Sequence, residues 1–456
     1  MTLSQDILAE LAEIAIGSPL DQARAIRDAA TRHAQGSYEV LFRQQDADFP
    51  LDERFAVAAK VAKLHQADAL AAHYAGFGLA DPTTDRLVPA LAFARLLTFT
   101  PVEATPAALH ALTKAGWSLR GIVTLAQLVA FVSFQSRLLL GLRALNHKPI
   151  VSADTPLVAG YWHTTPYAQS GKAAPVRFTR DELHWEPWLA DKPLAEFNAE
   201  EQAILAKYGH SDSPYFRLLA RNQPVLEQRT LTDKGIFYTA GGLPRAEREL
   251  AATVASKING CIYCASVHAR KAAQLAKDET AVDTLLAVTP GEDLRDGQSP
   301  RWQAEIDAAA ALSVTPPALN ADHLAALDEQ GLDTLAQLDL LQSAAFFAWA
   351  NRLMLTLGEL CLSPIGLATM TLLAPERMRG QMMGLWFCAS ALGNLAAGLI
   401  GGHVKADQLS LLPDLFARCS IALLICAAVL AVLIVPVRRM LENSRSSAAQ
   451  KSLSNA

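Results

Sequence analysis

The chain lacks a marked charge imbalance. Its 40 Lys and Arg against 45 Asp and Glu over 456 residues leave a net charge of −5. That is too mild for a surface that neutralises nucleic-acid phosphates, so no nucleic-acid partner is expected. The start lacks the pattern of a secretory signal: Met1-Thr-Leu-Ser-Gln-Asp6 is polar and acidic, which predicts a cytosolic, reducing setting. Cysteine is scarce, with six in the whole chain. In a reducing compartment a close pair of thiols is redox-active or metal-binding rather than a structural staple. Strand signals are few as well. The first 355 residues are rich in Ala and Leu at helical spacing, with stops at Gly116 and at Thr315-Pro-Pro, so the expected class is all-α.

What is present concentrates between Glu249 and His268. The stretch holds Cys261, Cys264 and His268 in the spacing Cys-x2-Cys-x3-His, with Glu249 upstream. Pro244 suits the first turn of a helix, and the run to Ile258 reads as helical. Asn259-Gly260 is a breaker, and a second helix is predicted to start at Cys261. The two thiols and the imidazole then share one face, with Cys264 and His268 an i,i+4 pair. A thiol in a first helical turn feels the positive end of the helix dipole, which favours thiolate. On one straight helix Glu249 would lie about 18 Å from Cys261, and the break lets it fold back toward the histidine.

Three readings of this cluster stand side by side: a redox dithiol, a zinc site, and a pair of inert buried cysteines. Zinc needs a fourth ligand, usually from a second Cys or His pair, and none is nearby. Haem attachment needs His directly after the second Cys, and residue 265 is Ala. No cofactor is predicted.

Glu-x11-Cys-x2-Cys-x3-His, flanked by Gly-Leu-Pro-Arg-Ala-Glu-Arg-Glu and Cys-Ala-Ser-Val-His-Ala-Arg, resembles the signature of the alkylhydroperoxidase AhpD-like branch of the carboxymuconolactone decarboxylase superfamily. The resemblance implies a peroxidase. Cys264 would attack peroxide, Cys261 would resolve the sulfenic acid as a disulfide, and Glu249 and His268 would relay protons. It further implies a peroxide substrate, a thioredoxin-like or lipoyl dithiol reductant, and a homo-oligomer. Tyr263 departs from members that carry His there. A lyase of the carboxymuconolactone decarboxylase type and a catalytically idle membrane-tethered scaffold are the alternatives.

An internal repeat organises the same region. Leu109-His-Ala-Leu-Thr-Lys-Ala-Gly116 resembles Leu324-Ala-Ala-Leu-Asp-Glu-Gln-Gly331, and Arg137 matches Arg352. By this alignment His73 falls opposite His268, with Gln66 and Ala69 opposite the two cysteines. The expected domains are a thiol-less copy at 1–147, a Trp- and Pro-containing connector at 148–200, and the CxxC copy at 201–357. Trp162, Trp185 and Trp188 of the connector are expected to cover a domain surface.

Residues 358–440 have a different texture. Met382 to Ile400 and Leu415 to Val437 are apolar runs long enough to span a bilayer, and flanking arginines place both ends in the cytoplasm. The pattern Gly358-Glu-Leu-Cys-Leu-Ser-Pro364 and its continuation resembles the carboxy-terminal end of proton-dependent oligopeptide transporters, of the major facilitator superfamily. By that resemblance Glu359 holds the position that grips a peptide's amino group. Most of the helices that enclose a transporter's substrate have no counterpart here, so transport by this fragment is not expected. The expected whole is a gene fusion: cytoplasmic catalytic domains on an inner-membrane two-span hairpin, with a polar tail at 441–456.

Overall fold

The computed structural model describes residues 6–163, 165–190 and 192–362. Met1–Leu362 forms one unit, and its described residues are mostly helical. In the first half the helices are α1 (Ile7–Leu11), α2 (Pro19–Ile26), α3 (Asp28–Arg43), α4 (Leu51–Leu64), α5 (Asp68–Ala75), α6 (Leu87–Phe99), α7 (Pro106–Lys114) and α8 (Leu119–Leu145). Strand β1 (Leu183–Pro187) and helices α9 (Ala199–Lys207) and α10 (Pro214–Leu219) lead into the second half. There follow α11 (Gln223–Phe237), α12 (Arg245–Ile258), α13 (Ile262–Ala276), α14 (Glu279–Ala287), α15 (Pro300–Ser313), α16 (Ala321–Glu329), α17 (Thr334–Thr356) and strand β2 (Gly358–Leu362).

The two halves repeat one plan, and their buried arginines show it residue by residue. Arg54 donates to the carbonyls of Leu41 and Gln44, and Arg248 donates to those of Ile236 and Thr239. Each ties the start of one helix to the end of the preceding one. Likewise Glu53 grips Arg86, as Glu247 grips Arg301.

α8 and α17 pack along each other in the centre, and the aromatic contacts between them are reciprocal. Phe131 meets Trp349 at 5.0 Å, and Phe134 meets Phe346 at 6.3 Å. One apolar core runs through both halves. α8 is long and apolar enough to cross a membrane, yet it is buried inside this core. That is how a central core helix reads when it is apolar all round.

Two expectations change here. The helical class is interrupted by an antiparallel pairing of β1 with β2, in the register Trp185↔Leu360 and Glu186↔Glu359. Glu359 therefore sits in a strand rather than at the start of a membrane helix, and its Oε1 accepts from the Gln169 backbone N–H at 2.8 Å. The pairing brings together segments far apart in sequence, so no local signal announces it. The connector's Trp185 is buried, donates from its indole to the Met354 carbonyl at 2.9 Å and meets Tyr215 edge-on. The apolar runs at 382–400 and 415–437 lie outside the described residues.

Candidate active site

The site begins at the end of α12. Pro244 stands at its N-cap, where a missing N–H costs nothing. At the other end Gly260 takes φ +73°. Its N–H reaches the Lys257 carbonyl, while the Cys261 N–H reaches that of Ser256 at 2.8 Å. This pair of bonds closes the helix with a left-handed residue. Glycine is required twice over, because a Cβ would also overlap the Tyr161 carbonyl and the Val102 side chain. Cys261 is then the N-cap of α13, one residue ahead of its first helical turn, and α13 runs back along α12. The break predicted at Asn259-Gly260 is thus what folds the carboxylate toward the imidazole.

His268 Nδ1 lies 2.5 Å from Glu249 Oε2, and Arg245 Nε donates to Glu249 Oε1 at 3.2 Å. Burial opposes ionisation of Glu249. The hydrogen bond to His268 and the charges of His268, Lys271 and Arg245 outweigh it and hold the carboxyl below its ordinary range. An ionised Glu249 accepts the Nδ1 proton, which leaves Nε2 as the basic nitrogen. The imidazole packs edge-on against Phe347 at 4.4 Å.

Both thiols are free and buried. Burial, and a hydrogen bond with Cys264, push the Cys261 thiol well up. Cys264 moves the other way: a hydrogen bond from Cys261 favours its thiolate, and against the opposing effect of burial Asn351 and the Arg229 charge favour it further. Asn351 is itself fixed, donating to Ser256 Oγ at 3.1 Å and accepting from Asn259 Nδ2 at 3.0 Å. Cys264, His268 and Glu249 line one pocket, whose walls include Phe237, Phe346 and Phe347. Cys261 lies behind Cys264 rather than in the pocket wall. Among the described residues, no hydrogen bond joins Cys264 to His268. The imidazole's bond goes to Glu249 instead. Among the described residues, no group of three or more His, Cys, Asp or Glu side chains could hold a metal ion.

Sequence reasoning missed the other charged and polar residues around this pocket. Arg229 and Asp233 come from α11, Lys271 from the far part of α13, and Asn351 lies on α17 beside the thiols. Comparing the repeats would have flagged Arg229, since the first half has Ala34 at that place in α3.

The register of the first half also needs correction. The left-handed residue that closes α4 is Gln66, at φ +59°, and the Ala67 N–H reaches the Ala62 carbonyl as Cys261 reaches Ser256. Gln66 therefore matches Gly260. Ala67 and Leu70 take the places of the two cysteines, Tyr74 that of His268 and Phe55 that of Glu249. His73 is one residue off, bonded through Nε2 to the Tyr38 hydroxyl at 2.9 Å. Tyr74 donates to Gln135 Oε1 at 2.5 Å, and Gln135 occupies the place of Ala350. Tyrosine, glutamine and phenylalanine fill the volume that is open in the second half.

The family model of the carboxymuconolactone decarboxylase family matches residues 223–290, which include all four candidate site residues. A peptide transporter of Yersinia enterocolitica subsp. palearctica is 83% identical over 93 residues, covering 20% of this chain and 18% of the transporter. Dipeptide and tripeptide permease B of Yersinia enterocolitica serotype O:8 is 36% identical over 101 residues, 20% of each chain. Dipeptide and tripeptide permease A of Escherichia coli is 31% identical over 105 residues, 21% of each. The chain spans about a fifth of the length of these curated relatives. No solved structure matches the chain. These findings overturn the expectation of a thiol peroxidase: the curated relatives carry the names of peptide transporters and permeases, and the family match is to carboxymuconolactone decarboxylase over a short stretch.

Proposed function

We propose that the described helical unit is an enzyme of the carboxymuconolactone decarboxylase kind, working by proton transfer in the pocket beside Cys264. In this reading His268 is the acid–base group, Glu249 fixes its tautomer and steadies its charge, and Cys264 supplies a second titratable group. Cys261 tunes Cys264 from behind. The observation that carries the reading is the 2.5 Å contact between His268 and a buried, ionised Glu249 at the edge of an open pocket. A base oriented by a carboxylate, with its other nitrogen free to face a substrate, is the geometry general-base catalysis needs. The match of the family model to this same stretch supports an enzyme.

The test uses a carbon acid whose reaction needs only a base. In 5-nitrobenzisoxazole, removal of the ring C–H proton breaks the N–O bond and releases a coloured cyanophenolate. The full chain should accelerate this opening, and His268→Gln should lower the acceleration by about 10²–10⁴-fold. Equal rates in the unchanged chain, His268→Gln and Glu249→Gln would refute the reading.

We further infer that the chain associates with the inner membrane. The similarity to peptide transporters and permeases supports this. Full release of the chain from membranes by carbonate would count against it.

A further inference from the structure

The Arg229 side chain is out of keeping with every other deeply buried arginine in its surroundings. Arg54, Arg137, Arg248 and Arg352 are each almost fully buried, and each donates to backbone carbonyls. Arg229 is 6% exposed, and its Nε is buried with no acceptor, as it is in Arg137, Arg248 and Arg352. What sets Arg229 apart is its terminal nitrogens, which donate to no protein group among the described residues. Among the described residues, no carboxylate forms an ion pair with it and no carbonyl accepts from it. Its guanidinium carbon lies 5.2 Å from the Phe346 ring and 5.8 Å from the Trp349 ring. Aromatic faces replace only part of the hydration that a buried cation gives up.

We propose that Arg229 anchors a carboxylate of the substrate, so that this pocket takes a small molecule with one anionic end and an apolar body. The proposal rests on the reading of the pocket as an active site. A guanidinium offers paired N–H donors in a plane, which match the two oxygens of a carboxylate. Lys271 lines the same pocket from α13 and adds a second positive charge. The acids nearby form no close ion pair with this charge. Glu249 is engaged by His268 and Arg245. Asp233 lies one turn along α11 and lines the pocket outside ion-pairing distance, and burial pushes its carboxyl up against the opposing charge of Arg229. Phe237, Val267, Phe347 and Met354 supply the apolar wall.

The other half of the chain argues the same way. The first half keeps the arginines that hold its helices together, yet it has Ala34 where Arg229 stands. There the pocket is filled by Tyr74 and Gln135. The cation is present in the half with an open pocket and absent from the half without one. A purely structural arginine has no reason to follow that division.

The experiment compares benzoate with its neutral analogue benzamide, by calorimetric titration of the full chain. Benzoate should bind about tenfold or more tightly than benzamide, the size expected for a charge-assisted hydrogen bond. Arg229→Met should erase that preference while leaving benzamide binding in place. Arg229→Lys keeps the charge without the planar fork and should retain part of the preference, so it serves if the methionine variant fails to fold. No benzoate binding, no preference over benzamide, or an undiminished preference in either variant overturns the assignment. Because binding and not turnover is read, a base-catalysed rate dependent on His268 would survive that failure, and the two readings fail separately.

Discussion

Arg137 and Arg352 cross in opposite directions between the two halves of the chain. Arg137 Nη2 donates to the Ser313 carbonyl at 3.2 Å, and Arg352 Nη2 donates to the Thr98 carbonyl at 2.9 Å. Each acceptor lies at the end of the corresponding helix, α15 or α6, where backbone carbonyls run out of helical partners and carry negative character. Each half thus caps the other.

Removing either cap should destabilise both halves together. Arg352→Ala deletes a buried side chain and leaves a buried carbonyl without its donor, at a cost of about 2–5 kcal/mol. Urea denaturation followed by tryptophan fluorescence and by circular dichroism should give one coincident, shifted transition for the helical unit. Two separated transitions would show that the halves fold independently.

The plug of the first half should matter for stability and not for chemistry. Tyr74→Phe removes the donor to Gln135 and leaves a buried amide oxygen unsatisfied, for about 1–3 kcal/mol. The rate of isoxazole opening should not move. A rate change beyond that produced by partial unfolding would place the first half in the reaction.

Gly260→Ala should damage stability and the site together. The left-handed backbone and the overlap with the Tyr161 carbonyl each add strain, on the order of 1–3 kcal/mol for the backbone alone. Because Cys261 and α13 start from this residue, the base-dependent rate should fall as well. A stable variant with full rate would mean that the turn adapts.

Glu305 makes stability fall as pH rises. Burial first, and then the charge of Glu247, push its carboxyl from 4.5 to about 9. The unfolded chain ionises there above its ordinary carboxylate range while the folded chain stays protonated. The folded state therefore holds the extra proton between the two values, and stability drains away across that window. Glu305→Gln should melt higher than the unchanged chain near pH 8 and converge with it near pH 5. Parallel melting curves across this range would show that Glu305 is ionised in the fold.

Cys264 should alkylate at lower pH than an ordinary thiol, because the hydrogen bond from Cys261 favours its thiolate. Cys261→Ala removes that donor and should raise the midpoint of the iodoacetamide rate profile. An unmoved midpoint would assign the effect to Asn351 and Arg229 instead.

The spacing of Glu249, Cys261, Cys264 and His268 was enough to place a helix, a break and a second helix, because Pro244 and Gly260 have strong local meaning. The same logic slipped by one residue in the first half. Gln66 adopts the left-handed conformation there, and a side chain other than glycine gives no warning of it. Asp233 and Asn351 were out of reach for a different reason: packing between distant helices delivers them. The β1–β2 pairing was invisible on the same ground. Function was the least legible level. A carboxylate, an imidazole and two thiols serve several reactions, and the family resemblance of their spacing implied a peroxidase that the comparisons do not support.

Tyr74 and Gln135 give the chain an asymmetry that a symmetric dimer of one open half could not have. In such a dimer any substitution acts twice, on two identical pockets, and a gain in packing is also a change in chemistry. Here one half can be selected for rigidity while the other keeps unsatisfied charge and open space. The trade-off between stability and activity is divided between two stretches of one polypeptide, a filled pocket in one and an open pocket in the other.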